Sequence, residues 1–138
     1  MEEKIRDGIA QALLEKFGEK YNIYSKNMEQ GSEKPCFFIL HKGTKIEYRP
    51  MKRCIAEFDF EIDMVLDNST NSGIYSYAED IFEALKCIKC EDDRINAVRN
   101  EFKIEKGVGK AVVSYLISGR IEEEEGQLME ELDIKKGE

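Results

Sequence analysis

No apolar run in this sequence approaches the roughly 18 residues that a membrane-crossing helix requires, so no membrane partner is expected. An export signal is lacking too: Met1-Glu2-Glu3-Lys4 is charged, and the apolar residues after it are spaced rather than continuous, which points to a cytoplasmic protein. Basic residues are outnumbered, 21 against 29 acids, and the resulting net charge of -8 opposes general affinity for nucleic acid, which needs clustered Lys and Arg. Histidine is reduced to His41, so there is no Ser/His/Asp or Cys/His set to assemble. Four cysteines (Cys36, Cys54, Cys87, Cys90) without a secretion signal read as reduced thiols, not as a disulfide framework. No internal repeat is visible. What is present is 138 residues, 41% hydrophobic and 36% charged, enough for one domain that buries about two thirds of its unfolded surface.

Ile5, Ile9, Leu13 and Phe17 recur at helical spacing, with Glu2, Arg6, Gln11 and Lys16 elsewhere on the wheel, and Gly18 ends the helix. Tyr21 to Tyr24 reads as a brief strand, followed by a polar turn from Ser25 to Lys34. Pro35 opens a strand, Cys36 to His41, that is apolar on both faces and is therefore expected to lie centrally in the sheet. Gly43 breaks or bulges it, and Lys45 to Arg53 reads as a hairpin connection. The clearest periodicity follows, with Cys54, Ala56, Phe58, Phe60, Ile62, Met64 and Leu66 alternating with Ile55, Glu57, Asp59, Glu61, Asp63 and Val65. One face of this long strand is core, and the other carries four carboxylates that water, cations or basic side chains must accommodate.

Asn71 and Ser72 are candidate N-caps for a second helix, defined by Ile74, Tyr77, Ala78, Ile81, Phe82, Leu85 and Ile88 and closed by Cys90-Glu91-Asp92-Asp93. Two β-prone runs, Ile95 to Ile104 and Lys110 to Ile121, are joined by the turn Lys106-Gly107-Val108-Gly109. With meander connections, the order α-β-β-β-α-β-β gives an α+β two-layer fold, a mostly antiparallel sheet with both helices on its apolar face. Residues 1–121 form the single domain. Residues 122–138, opening with Glu122 to Glu125, read as an acidic tail that is disordered in isolation or docks on a neighbour.

Candidate chemistry is sparse. Cys87-Ile88-Lys89-Cys90 has the spacing of a metal or redox pair, but a zinc site needs four ligands, and the pair falls at the negative end of the expected helix. His41 reads as a surface or strand-end residue. The row Glu57, Asp59, Glu61 and Asp63 has the regular alternation of a solvated or interfacial strand face and lacks the glycine-containing loop of a calcium site. Tyr48, Arg49, Lys52 and Arg53 form a short basic cluster suited to salt bridges with an acidic neighbour.

In order and placement, several segments resemble one family: the Ile5 to Leu13 helix, Asn22-Ile23-Tyr24, Glu29-Gln30-Gly31, Lys34-Pro35-Cys36-Phe37-Phe38-Ile39, Arg49 to Arg53 leading into Phe58-Asp59-Phe60, and the helix Tyr77 to Leu85. That family is the phage tail terminators of tailed phages and prophages of Gram-positive bacteria, and the resemblance runs from about Ile5 to Ile121. The Cys87/Cys90 pair is not part of its pattern. The resemblance implies a non-enzymatic structural protein without cofactors, whose copies form a hexameric ring that caps the tail tube, stops its polymerisation and offers a head-joining surface. The implied partners are its own copies, the tail tube protein and head-tail connector proteins, with DNA only in passage through the lumen. The implied location is host cytoplasm during assembly and then the virion tail. Within that picture Tyr48, Arg49, Lys52 and Arg53 are expected at a subunit or tube interface, and Glu57, Asp59, Glu61 and Asp63 on a lumen or interface face. The alternatives are another neck or connector subunit, or a small metal- or thiol-dependent enzyme using Cys87 and Cys90.

Overall fold

The alternating residues form a strand that is paired on both sides along nearly its whole length, and the rest of the molecule is arranged around it. The computed structural model describes residues 1–24, 35–66 and 71–120. In chain order the elements are α1 (Glu2–Phe17), β1 (Asn22–Tyr24), β2 (Cys36–Arg49), β3 (Arg53–Val65), α2 (Asn71–Tyr75), α3 (Ala78–Leu85), β4 (Cys87–Cys90), β5 (Asp93–Glu105) and β6 (Val108–Arg120). The six strands form one sheet in the order β1-β2-β3-β6-β5-β4, antiparallel throughout except for the short parallel pair β1 and β2. The fold is α+β, as the sequence implies.

One face of the sheet holds the main core. Phe37 and Ile39 of β2, Phe58, Phe60 and Ile62 of β3, and Val113 and Tyr115 of β6 meet Ile5, Ile9 and Leu13 of α1 and Ile81 and Leu85 of α3. Each such side chain, removed from water, contributes about 1.5–3 kcal/mol before entropy is counted. The one polar atom of Tyr115 is satisfied, its hydroxyl donating to the Leu85 carbonyl at 2.6 Å at the end of α3. On the opposite face a smaller cluster of Cys36, Phe38 and Val65 is joined by Tyr24, Leu40 and Val108. This second cluster explains why Cys36 to Leu40 is apolar on both faces, although β1 flanks β2 only over Cys36, Phe37 and Phe38.

Several local readings are corrected. Lys45 to Arg49 is strand, not connection, because Lys45, Ile46, Glu47 and Tyr48 each face a residue of β3, and the turn shrinks to Pro50, Met51 and Lys52. Met51 and Lys52 both sit at positive φ, 63° and 58°, which non-glycine residues tolerate only when flanking structure holds them. The second helix is two pieces, interrupted at Ser76 and Tyr77, where the Ser76 hydroxyl donates to the Gly73 carbonyl at 2.6 Å and α3 starts without a side-chain cap. Its end is earlier than expected: Ile88 lies three residues beyond Leu85 and mimics one more turn, but it belongs to β4, which pairs with β5. The connections are not a simple meander, since β6 lies between β3 and β5. Gly43 does mark a bulge, with the register slipping between His41 and Gly43. The turn at Lys106 and Gly107, both at positive φ, joins β5 to β6 as a two-residue hairpin. The capping roles of Asn71 and Ser72 and the acidic tail 122–138 lie outside what is described.

Helix α1 approaches β4 so closely that a Cβ added to Gly8 would strike the Lys89 carbonyl oxygen, a backbone atom that cannot turn aside, and would press on Ile88 Cδ1 at 3.3 Å. Glycine is therefore needed for proximity, not for unusual dihedrals. Gly8→Ala is expected to lower stability by roughly 1–3 kcal/mol despite the better helix propensity of alanine, as read from the midpoint of chemical denaturation.

Candidate interface: the carboxylate face and the basic hairpin tip

Glu57, Asp59, Glu61 and Asp63 lie in a row on the face of β3 opposite the main core, and all four are half-buried. Burial of that degree requires partners, and the neighbouring strands supply them. Lys45 Nζ of β2 stands 3.8 Å and Arg99 Nη1 of β5 stands 3.6 Å from Glu57 Oε2, so one carboxylate is held from both sides. Arg99 also donates to Ser114 Oγ at 3.4 Å, and the Ser114 hydroxyl donates to Asp59 Oδ1 at 2.6 Å. Lys110 Nζ of β6 lies 3.8 Å from Glu61 and 3.6 Å from Glu105. Glu57 and Glu61 are thus held in intramolecular ion pairs and Asp59 by a hydroxyl, so that of the accommodations foreseen the row uses basic side chains at two of its four acids.

No local signal in the sequence marks those partners: Lys45 falls in a polar stretch that reads as a connection, and Arg99, Lys110 and Ser114 sit on strands whose neighbours only the folded sheet reveals. The alternation Arg99, Glu101, Lys103, Glu105 is the one signal that marks β5 as having a charged face.

The basic cluster occupies the tip of the β2–β3 hairpin. Tyr48 is 63% exposed and Met51 81%, with Arg49, Lys52 and Arg53 exposed beside them. Arg49 faces Arg53 across the hairpin, so like charges are gathered at one end of the sheet. Arg49 Nη2 is partly answered by Glu47 Oε2 at 3.3 Å. A cleft of about 300 Å³ opens here, lined among others by Arg49, Arg53, Pro50, Ile55 and Ser118. Tip and carboxylate row share β3 but are not brought together: each patch is separate, and the acids are matched by Lys45, Arg99 and Lys110 instead.

The remaining candidates take different places from those expected. Cys87 and Cys90 are on strand β4, three residues apart, so they project to opposite faces: Cys90 is buried with Ile88 in the core while Cys87 is half-buried. They do not converge on one ion, and the placement at a helix end is corrected with the helix itself. His41 is half-buried on the side of the sheet that holds the main core, its ring 5.2 Å from that of Phe60, Nε2 2.8 Å from Thr44 Oγ1 and Nδ1 3.6 Å from Glu2. Among the described residues no three His, Cys, Asp or Glu side chains gather as a metal site would require, and no helix is long and apolar enough to cross a membrane.

The sequence model of a family described as phage tail terminator protein matches residues 4–127. Among solved structures, a chain from the virion of a native gene transfer agent (GTA) particle superposes with a TM-score of 0.50 at 14% identity, covering 80% of this chain and 90% of the other, which is a likeness of fold. No curated protein matches the sequence.

Asp63 is the least comfortable member of the row. Desolvation, a hydrogen bond with Glu61 and the charge of Glu61 push its carboxyl up to about 7, against the pull of Lys110 and Lys42. The folded protein therefore holds a proton at Asp63 that the unfolded chain releases at lower pH. The stability this contributes is complete below the ordinary carboxylate pKa and is lost as pH rises through about 7. Asp63→Asn, which removes the ionisation, is expected to melt above the wild type at pH 8 and close to it at pH 3. Parallel pH dependences of the two melting temperatures would contradict this assignment.

Proposed function

We propose, for a chain that belongs to the phage tail terminator protein family and is a structural component of a phage tail, that its copies close into a ring that caps the finished tail tube, halts polymerisation and presents the surface to which the head is joined. The observation that carries this reading is the extent of the family match, residues 4–127, which takes in every described strand and helix but for the first two residues of α1, rather than one motif. The protein acts by assembly, not by catalysis. Its partners are its own copies, six to a ring, the tail tube protein and the head-tail connector, with DNA passing through the lumen, and it moves from host cytoplasm to virion tail.

Residues 1–121 serve as the assembling domain. A cyclic ring joins unlike surfaces of successive copies, so a subunit needs two different patches that fit one another. The tip of the β2–β3 hairpin is one: Tyr48, Arg49, Lys52 and Arg53 project together, and acids of an adjacent copy or of the tube end answer them. The face of Glu57, Asp59, Glu61 and Asp63 turns to the lumen. Tempered by Lys45, Arg99 and Lys110, it repels phosphate without accumulating the charge that would strain the ring.

Replacing Arg49, Lys52 and Arg53 together by Ser is expected to shift the protein from ring to smaller species, and to abolish decoration of tube ends in negative-stain micrographs taken with tail tube protein. Unchanged native mass and unchanged end-capping in the triple variant would refute the contact. A wild-type protein that stays monomeric with and without tube ends would refute the ring.

A further inference from the structure

The sheet has two short outer strands and two long open edges. β1 covers β2 only at Cys36, Phe37 and Phe38, and β4 covers β5 only from Asp93 to Asn96. Among the described residues, the outer edge of β2 from Ile39 to Arg49 and that of β5 from Val98 to Glu105 therefore pair with no other strand. Edges of this length are templates for pairing with another chain unless charge or shape blunts them. Both edges carry charge of alternating sign on the same face of the sheet: Lys45, Glu47 and Arg49 on one, Arg99, Glu101, Lys103 and Glu105 on the other.

We infer that the occupant of the β2 edge is the β5 edge of a second copy, so that successive subunits share one continuous antiparallel sheet. This deepens the ring reading and rests on it. The strands β2, β3, β6 and β5 are each antiparallel to the next, and four is an even number, so β2 and β5 run in opposite directions. A rotation about an axis along the strands then lays β2 of one copy antiparallel to β5 of its neighbour. The helices and the main core occupy one face, so closure with that face outward turns the carboxylate face inward.

Charge and geometry together select a register. Opposite signs meet either with Lys45, Glu47 and Arg49 facing Glu105, Lys103 and Glu101, or with Lys45 facing Glu101 and Glu47 facing Arg99. The first offsets each subunit by eight or nine residues, on the order of 28 Å along strands for a four-strand width of about 19 Å, a tilt near 55°. The second offsets it by four or five residues, about 15 Å, a tilt of roughly 40°, within the usual range of about 35–45° for closed sheets. The second is the register assigned.

The test uses the full chain carrying K45C and E101C, assembled into rings and then oxidised. Facing residues in antiparallel strands stand about 4.5–5.5 Å apart at Cα, within disulfide reach. A ladder of covalent multimers up to the ring size is expected on non-reducing gels, absent from either single variant and from the out-of-register pair K45C/K103C. Independently, E47R sets two arginines opposite one another and should cut ring yield about tenfold, with R99E in the same chain restoring it. Rings of normal mass that give no ladder and tolerate E47R would overturn the edge pairing while leaving the ring intact. A ladder from K45C/K103C instead would overturn the register. Failure of the wild type to form rings at all, alone or on tube ends, would remove the ring reading and this inference with it.

Discussion

Everything in this molecule depends on the fact that β3 is paired on both sides while its side chains alternate without exception from Cys54 to Met64. A strand so placed must satisfy two opposed environments at every residue step. On one side Phe58, Phe60 and Ile62 demand helices to cover them, which fixes where α1 and α3 must lie. On the other, four half-buried carboxylates demand cations, which fixes what β2, β5 and β6 must carry at the facing positions. A register slip of one residue would exchange the two faces and bury the acids in the core, so the alternation specifies pairing as strongly as it specifies burial.

The carboxylate face accordingly has a dual character. Glu57 is clasped by Lys45 and Arg99, and Asp59 accepts from the buried Ser114 hydroxyl, so these acids stitch three strands together before any partner arrives. Ion pairs of this kind on a partly exposed surface contribute little individually, on the order of 0–1 kcal/mol. Their value is in direction: they orient Lys45 and Arg99 at the two open borders of the sheet, where the charge pattern of the subunit is displayed.

Much of the fold was legible because its strongest signals are local. The 3.6-residue spacing of Ile5, Ile9 and Leu13 and the alternation along β3 need no knowledge of neighbours, and both describe the observed elements. The failures came where two structures share one local pattern. Leu85 and Ile88 are spaced as on a helix, yet Ile88 follows a chain reversal into β4, and tertiary pairing with Ile95 decides the matter. Lys45 to Arg49 is polar because it is an edge, not because it is a turn. The position of β6 between β3 and β5 is a topological choice that leaves no mark on any one segment. For the same reason the acids of the candidate site were visible and their partners were not: Lys45, Arg99 and Lys110 come from three different strands, and only the folded sheet assembles them.

The close seat of Gly8 against Lys89 bears on the order in which the chain can fold. Helix α1 touches β4 backbone to backbone, and most of the described chain lies between them in sequence. Such a contact closes a long loop, so it forms late, after the sheet that positions β4 exists. Until then the apolar stripe of α1 has nothing to cover, and the surface of Phe58 and Phe60 stays open. A subunit with α1 undocked would be sticky in the wrong way, with core surface exposed alongside the strand edges. The tight fit at Gly8 thus joins two elements far apart in the sequence, and the main core is closed on that side only where they meet.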